Sequence, residues 1–287
     1  MNASRIRPNH KRVAHDLSFA LGRITRPLRM TPGLLIVGGQ RCGTTSMYRA
    51  LAQHPAMAKP VLRKGVHYFD VAYTKDMKWY QSHFPLRASG RHAAPKGVEP
   101  IAFESSPYYL FHPLSAARIA ERLPGVKVIA LVRDPVERAY SAHAHESARG
   151  YESEPFERAL ELEEERLRGE VERIVADPSY ESHAHRHQAY VRRGQYAEQL
   201  EQMSRHVGRG QVLVVDSHRF FAEPEREFAK VLTFLDLLPA SKINFERHNA
   251  RSRSPMADRL RQQLKDHFAP HDAKLASWLE ATPSWRL

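Results

Sequence analysis

Short uninterrupted apolar runs, bounded by turn residues, alternate along the chain with longer amphipathic stretches. The run at 34–37 feeds a turn carrying Gly38, Gly39 and Gly43, and a helix is expected over 44–53. Runs at 101–103, 126–132 and 211–215 read as further strands, and 112–123, 135–149 and 225–235 as helices. Runs without polar alternation suit strands buried on both faces. Strands separated by helices of this length make a parallel sheet, so the expected fold class is α/β, a three-layer sandwich with a central parallel sheet flanked by helices.

Before the first strand, Val13, Leu17, Ala20, Leu21, Ile24 and Leu28 recur at helical spacing, which predicts a basic amphipathic helix ending before Pro32. Residues 1–30 hold seven Lys/Arg and one acid, Asp16. The simplest partition is a basic N-terminal arm, 1–32, and one domain, 33–287. The arm reads either as an extension packed on the surface or as a weak membrane-surface attachment. Glu161, Glu163, Glu164 and Glu165 read as one solvated helix face.

Composition narrows the classes. Lys+Arg 44 against Asp+Glu 32 gives a net charge of +12, so an anionic partner is expected: nucleic acid, a membrane surface, or a phosphorylated or sulfated small molecule. An apolar content of 42% excludes a disordered chain. One cysteine excludes an intrachain disulfide framework and makes a reducing, cytoplasmic location the expectation. The apolar runs fall far short of the roughly 18–20 residues of a membrane span, and the first thirty residues lack the apolar segment of a signal peptide.

The frame Gly38-x-x-x-x-Gly43-Thr44-Thr45 matches a phosphate-binding loop at every position but one. A buried strand, a glycine turn and a helix N-terminus aim successive N–H groups at an anion, which makes the fold P-loop-like. Thr44 stands where a nucleoside-triphosphate loop carries lysine, and Arg41 is the nearest cation. A 5′-phosphate fits such a loop, with Arg41 facing the group beyond it. Cys42 sits where a helix N-terminus is expected to lower a thiol pKa, although loop packing is favoured over a nucleophilic role. Arg133 closes the strand at 126–132, where open α/β sheets bind ligands, and Ser141 follows about two helical turns later. Their fork and hydroxyl suit one phosphate group. Arg138 between them reads as structural.

These motifs make the chain resemble the sulfotransferases that use 3′-phosphoadenosine 5′-phosphosulfate (PAPS), in the carbohydrate branch that contains heparan sulfate N- and 3-O-sulfotransferase domains and bacterial relatives. The loop Lys-x-Gly-Thr-Thr of that family stands here as Arg41-Cys-Gly-Thr-Thr45, and its Arg-Asp-Pro-x-x-Arg-x-x-Ser motif as Arg133 to Ser141. Lys64-Gly-Val-His-Tyr-Phe-Asp70 is similar to its Glu-Val-His-Phe-Phe-Asp, and Glu104-Ser-Ser-Pro-Tyr-Tyr109 to its second active-site strand end. Gly194-Gln-Tyr196 fits as well, and the basic loop Asn249-Ala-Arg-Ser-Arg-Ser-Pro255 resembles the one that closes over the nucleotide.

The resemblance implies a PAPS-dependent sulfotransferase releasing 3′,5′-ADP. Arg41, Cys42, Gly43, Thr44 and Thr45 then bind the phosphosulfate end, Arg133 and Ser141 the 3′-phosphate, and Arg251, Ser252 and Arg253 close over it. No metal is required, because fixed cations face the developing charge. Gly65 falls where the heparan sulfate enzymes place a catalytic glutamate, so the base must be another group. His67, oriented by Asp70, is the first candidate and Glu104 the second. The family implies a carbohydrate or glycolipid acceptor, hydroxyl or amine, and Lys59, Arg63, Lys64 and Lys75 suit an anionic glycan. Two rival classes remain: a P-loop kinase or NTPase, and a non-enzymatic nucleic-acid binder. The first wants a lysine at 44 and an acidic metal ligand. The second lacks any compact nucleic-acid fingerprint, so nucleic acid is not the expected partner. His183-Ala-His-Arg-His187 suggests a metal site, but no second cysteine is present to complete a soft one.

Overall fold

A computed structural model describes residues 25–240, 242–246 and 255–287. Five strands form one parallel sheet: β1 (Pro32–Gly38), β2 (Met57–Ala58), β3 (Ile101–Ser105), β4 (Lys127–Val132) and β5 (Val212–Asp216), in the order β2-β3-β1-β4-β5. The helices of eight or more residues among the described residues are α1 (Thr44–Leu51), α2 (Ser115–Arg122), α3 (Pro135–Ser147), α4 (Phe156–Leu167), α5 (Tyr196–Val207), α6 (Pro224–Phe234) and α7 (Asp258–Leu279). Residues 34–37 of β1 and 128–132 of β4 are wholly buried, so both faces of the sheet are covered and no alternation remains to be read. The three-layer α/β sandwich expected from the sequence is the fold found. The two-residue edge strand β2 is too short to leave a hydrophobic signal.

The order places β1 between β3 and β4, so the loop leaving β1 is flanked by both neighbouring strand ends. Chain reversal of strand order beside β1 creates the crevice in which such sheets bind ligands. One side-chain placement differs from expectation. Glu163 is buried and accepts N–H bonds from Tyr190, Val191 and Arg192, whereas Glu161, Glu164 and Glu165 are exposed as a solvated face should be. A carboxylate that caps three backbone donors is worth burying, and helical spacing alone cannot reveal it. At the arm's end, Met30 joins the core and Arg29 donates to the Ser82 and Phe84 carbonyls. The rest of the expected amphipathic helix, up to residue 24, lies outside the described residues. Around the histidine cluster, His185 meets the Tyr108 hydroxyl at 2.8 Å, His187 the Glu146 carboxylate at 3.0 Å and His183 the Tyr151 carbonyl at 3.0 Å. The His183 and His187 rings lie side by side, 5.1 Å between centroids, but each of the three rings is engaged by a different partner.

Candidate active site

The loop after β1 is shaped by two left-handed residues, Arg41 at φ 67° and Gly43 at φ 85°. Glycine takes that conformation without strain; at position 43 a side chain would also press on the Phe221 ring, 3.1 Å from the site of a Cβ. Ser46 and Met47 return their N–H groups to the Gly43 carbonyl, which starts α1. Thr44 and Thr45, as the first two helical residues, have no carbonyl within the helix for their own N–H groups. The loop is therefore an anion cradle at a positive helix end.

Arg41 reaches out of this loop to the other motif. Its Nε donates to Ser141 Oγ at 3.0 Å, and Arg133 Nη1 donates to the Arg41 carbonyl at 3.3 Å. Arg133 also lies 4.0 Å from the Glu137 carboxylate and keeps 28% of its side chain exposed. Behind the pair, Tyr196 donates to the Arg133 carbonyl at 2.9 Å. Gly194 is required nearby because a Cβ there would stand 2.7 Å from the Phe268 ring. Asp134 caps α3 through the Val136 N–H, which fixes the turn between Arg133 and Ser141. Arg138 is fully buried and donates to the Tyr190 carbonyl, a structural placement.

Cys42 departs from expectation. Its thiol is completely buried, 3.6 Å from the Tyr196 hydroxyl, and burial pushes its pKa up against the pull of Arg138, Arg133 and Arg41. A helix N-terminus lowers a thiol pKa only where the thiolate can be solvated or paired. Among the binding residues named from sequence, Arg251, Ser252 and Arg253 lie outside the described residues.

The other half of the site is segment 64–68, clamped to the end of β3. Val66 N–H donates to Glu104 Oε2 at 2.7 Å, His67 N–H to Ser106 Oγ at 3.0 Å and Tyr68 N–H to Tyr109 Oη at 2.8 Å. The Lys64 carbonyl accepts from Ser105 N–H at 3.0 Å. Glu104 gathers four donors in all: Ser106 Oγ at 2.6 Å, Tyr109 Oη at 2.7 Å and Tyr80 Oη at 3.0 Å complete its shell. It has no exposed surface, and burial raises its pKa against these bonds. Its four bonds tie the 64–68 segment to the end of β3 and to the tyrosines behind it.

His67 is held at φ 57°, a left-handed conformation that costs a non-glycine residue about 1–2 kcal/mol. Three consecutive anchored N–H groups offset that cost. Its Nδ1 meets the Asp70 carboxylate at 2.7 Å, and 36% of its side chain stays exposed. Burial disfavours the imidazolium, but the Asp70 charge and hydrogen bond outweigh it and the pKa is raised. Nδ1 is engaged, so Nε2 is the ring nitrogen left for an incoming group. Beside this pair runs a cleft lined by Asp70, Tyr108, Tyr180, Glu181, Ser182 and Arg186. Gly65 is closed to any side chain: a Cβ there would lie 2.5 Å from the Ser105 carbonyl. A glutamate cannot occupy this backbone as it stands.

Sequence reasoning missed where Lys64 points. Its ammonium donates to Thr44 Oγ1 at 3.2 Å and Thr45 Oγ1 at 3.1 Å. Lys59, Arg63 and Lys75 are exposed, so the basic cluster expected from sequence divides between solvent and the loop.

A profile described as the sulfotransferase domain matches residues 31–253. The chain belongs to this sulfotransferase family. Among sulfotransferases of known structure, the one from Alicyclobacillus acidocaldarius is 28% identical, covers 90% of this chain and all of its own, and superposes with a TM-score of 0.66. Heparan sulfate glucosamine 3-O-sulfotransferase 3B1 of Mus musculus is 28% identical over 73% of this chain, and the membrane-associated sulfotransferase kil1 of Dictyostelium discoideum 22% identical over 89%. The chain spans 47% of the length of the first of these two relatives and 66% of the second. Among the described residues no helix of this sulfotransferase-family chain is long and apolar enough to cross a membrane.

Proposed function

We propose that this chain transfers the sulfuryl group of PAPS to a hydroxyl acceptor of the carbohydrate or glycolipid class. One observation carries the reading: Arg41 is bonded to Ser141 and accepts from Arg133, so the glycine turn after β1 and the arginine–serine pair after β4 border one site. A nucleotide with phosphate groups at both ends needs that convergence. The Thr44 and Thr45 N–H groups and hydroxyls hold the 5′-phosphate, Arg133 and Ser141 the 3′-phosphate, and Arg251, Ser252 and Arg253 cover it. Fixed cations serve where a kinase uses a metal ion.

In the transfer, the acceptor oxygen forms a bond to sulfur as the sulfur–oxygen bond to the 5′-phosphate breaks. The electron pair of that bond stays on 3′,5′-ADP, facing Arg41. The acceptor proton passes to His67 Nε2, and Asp70 steadies the resulting imidazolium through Nδ1. The cleft beside Asp70 is edged by the charged pair Arg186–Glu181 at 2.8 Å, which gives a hydroxylated acceptor polar groups at its margin. The basic N-terminal arm, 1–32, is proposed as a weak membrane-surface contact and the compartment as cytoplasmic.

An ATP-dependent phosphotransferase has one feature in its favour, the Lys64 ammonium at the loop. Among the described residues the strand ends at the loop offer it no free acidic metal ligand: β4 delivers Arg133, and the Asp216 carboxylate at the end of β5 is occupied by the His218 N–H and by Ser284. The discriminating experiment is thermal shift with 3′,5′-ADP and with ATP, followed by mass spectrometry of PAPS-dependent SO₃ gain on glycan and glycolipid acceptors. Stabilisation by 3′,5′-ADP and a sulfated product are expected; preference for ATP with magnesium overturns the reading.

A further inference from the structure

We propose that Lys64 supplies, from the segment clamped to β3, the ammonium that a phosphate loop ordinarily carries in its own helix, and that this charge stabilises the leaving 3′,5′-ADP together with Arg41. The inference rests on the sulfuryl-transfer reading above. Position 44 is threonine, and no lysine stands elsewhere in the loop. The Lys64 ammonium nevertheless sits on the two hydroxyls that follow Gly43. By accepting from it, Thr44 Oγ1 and Thr45 Oγ1 leave their own O–H groups to donate to a ligand in the cradle. The lysine backbone is fixed as well, its carbonyl accepting the Ser105 N–H at 3.0 Å. Gly65 directly after it permits the close approach to Ser105, where no side chain fits.

The charged surroundings decide how the ammonium behaves. From β3 the Glu104 carboxylate favours its charged form. From α1 it meets the two threonine hydroxyls, with Tyr48 a turn beyond, raised to about 12 by burial and by the same carboxylate. On its own segment His67 also senses Glu104. Burial outweighs Glu104 and brings the Lys64 pKa down to about 8. An unliganded loop thus holds a lysine that is partly neutral in mild alkali. A bound phosphate anion restores the proton, so ligand binding and proton uptake are linked.

The test is calorimetric titration of the full chain with 3′,5′-ADP at pH 8.5 in two buffers of different ionisation enthalpy, beside pH profiles of kcat/KM for PAPS. The wild type is expected to take up protons on binding and to lose kcat/KM as the pH rises through about 8. Lys64→Arg, always charged, is expected to bind without that uptake and to shift the alkaline fall to higher pH. Lys64→Met is expected to lose on the order of 10²-fold in kcat/KM at pH 7, with a melting temperature no lower than the wild type's. If Lys64→Arg takes up the same protons and keeps the same alkaline fall, the role of Lys64 is wrong while the nucleotide site stands. If the wild type fails to bind 3′,5′-ADP, the sulfuryl-transfer reading falls and the Lys64 role with it.

Discussion

The two halves of the proposed site, one assigned to the nucleotide and the other to the acceptor, are built on opposite plans. In the nucleotide half, charged groups stay partly exposed: Arg133 keeps 28% of its side chain exposed, beside the Arg41 carbonyl and the Glu137 carboxylate. In the acceptor half, the carboxylate at the end of β3 is fully buried, and what faces the crevice is the segment it holds. One half spends its charge on the ligand; the other spends it on geometry. Substitutions should therefore divide cleanly into those that cost turnover and those that cost stability.

The largest effect is expected at His67, the proposed base of the acceptor half, where Lys64 is turned instead toward the loop. His67→Ala should lower kcat about 10²–10⁴-fold while leaving the affinity for 3′,5′-ADP and the melting temperature close to wild type. The sign of the pH dependence follows from Asp70. Because the folded pKa of His67 is raised, the neutral ring needed as base is depleted at lower pH, and kcat/KM should rise with pH through that value. Asp70→Asn should move this acid limb to lower pH. A His67→Ala enzyme with normal kcat would leave the acceptor half without its base.

Next come the arginines of the nucleotide half. Arg133→Ala and Arg41→Ala should each cost about 2–4 kcal/mol in nucleotide binding or transition-state stabilisation. Kd for 3′,5′-ADP and kcat/KM for PAPS read these losses. Both variants should fold, since neither side chain is fully buried. Because Arg41 touches both Ser141 and Arg133, the double variant should lose less than the sum of the two.

How much of this was legible in the sequence follows the same division. The strand run at 34–37, the glycine turn and the Arg133–Ser141 spacing are contiguous, so the nucleotide half could be read from the chain before any coordinates. Their meeting through the Arg41 side chain depends on β1 and β4 being neighbours, which only the sheet order reveals. The acceptor half was legible as a pair of motifs but not as roles. His67 stood first and Glu104 second as candidates for the base, and how each is held, four donors on one and an engaged Nδ1 on the other, came only with the structure. Lys64 and Glu163 were misread for one reason: a charged residue's direction is set by partners 19 to 29 residues away in the chain, not by its neighbours. Gly65 looked like a missing catalytic group and is a packing requirement.

Glu104 is where stability rather than turnover should move. Glu104→Gln replaces one acceptor oxygen by an NH₂ that must face a hydroxyl or N–H donor. Leaving such buried donors unmatched should cost about 1–3 kcal/mol, read as a fall in melting temperature. Any loss of kcat should follow from disorder of 64–68, so it should be accompanied by weaker amide protection at Val66, His67 and Tyr68 in hydrogen exchange. A fall in kcat with unchanged melting temperature and protection would return Glu104 to the chemistry and erase the contrast between the two halves.

The smallest effect is expected at Cys42, which lies in the nucleotide half but follows the plan of the other one. Its thiol contributes no charge to the crevice, being buried against Tyr196 with its pKa pushed up by burial. Cys42→Ser should change stability by less than about 1 kcal/mol, because a hydroxyl keeps contacts with the Tyr196 hydroxyl and the Gln40 carbonyl. The wild-type thiol should stay silent toward an aromatic disulfide reagent until denaturant unfolds the chain, and then react in full. Rapid reaction in the folded protein, slowed by 3′,5′-ADP, would instead place a thiolate in the crevice. The loop would then carry a nucleophile where its burial argues only for packing.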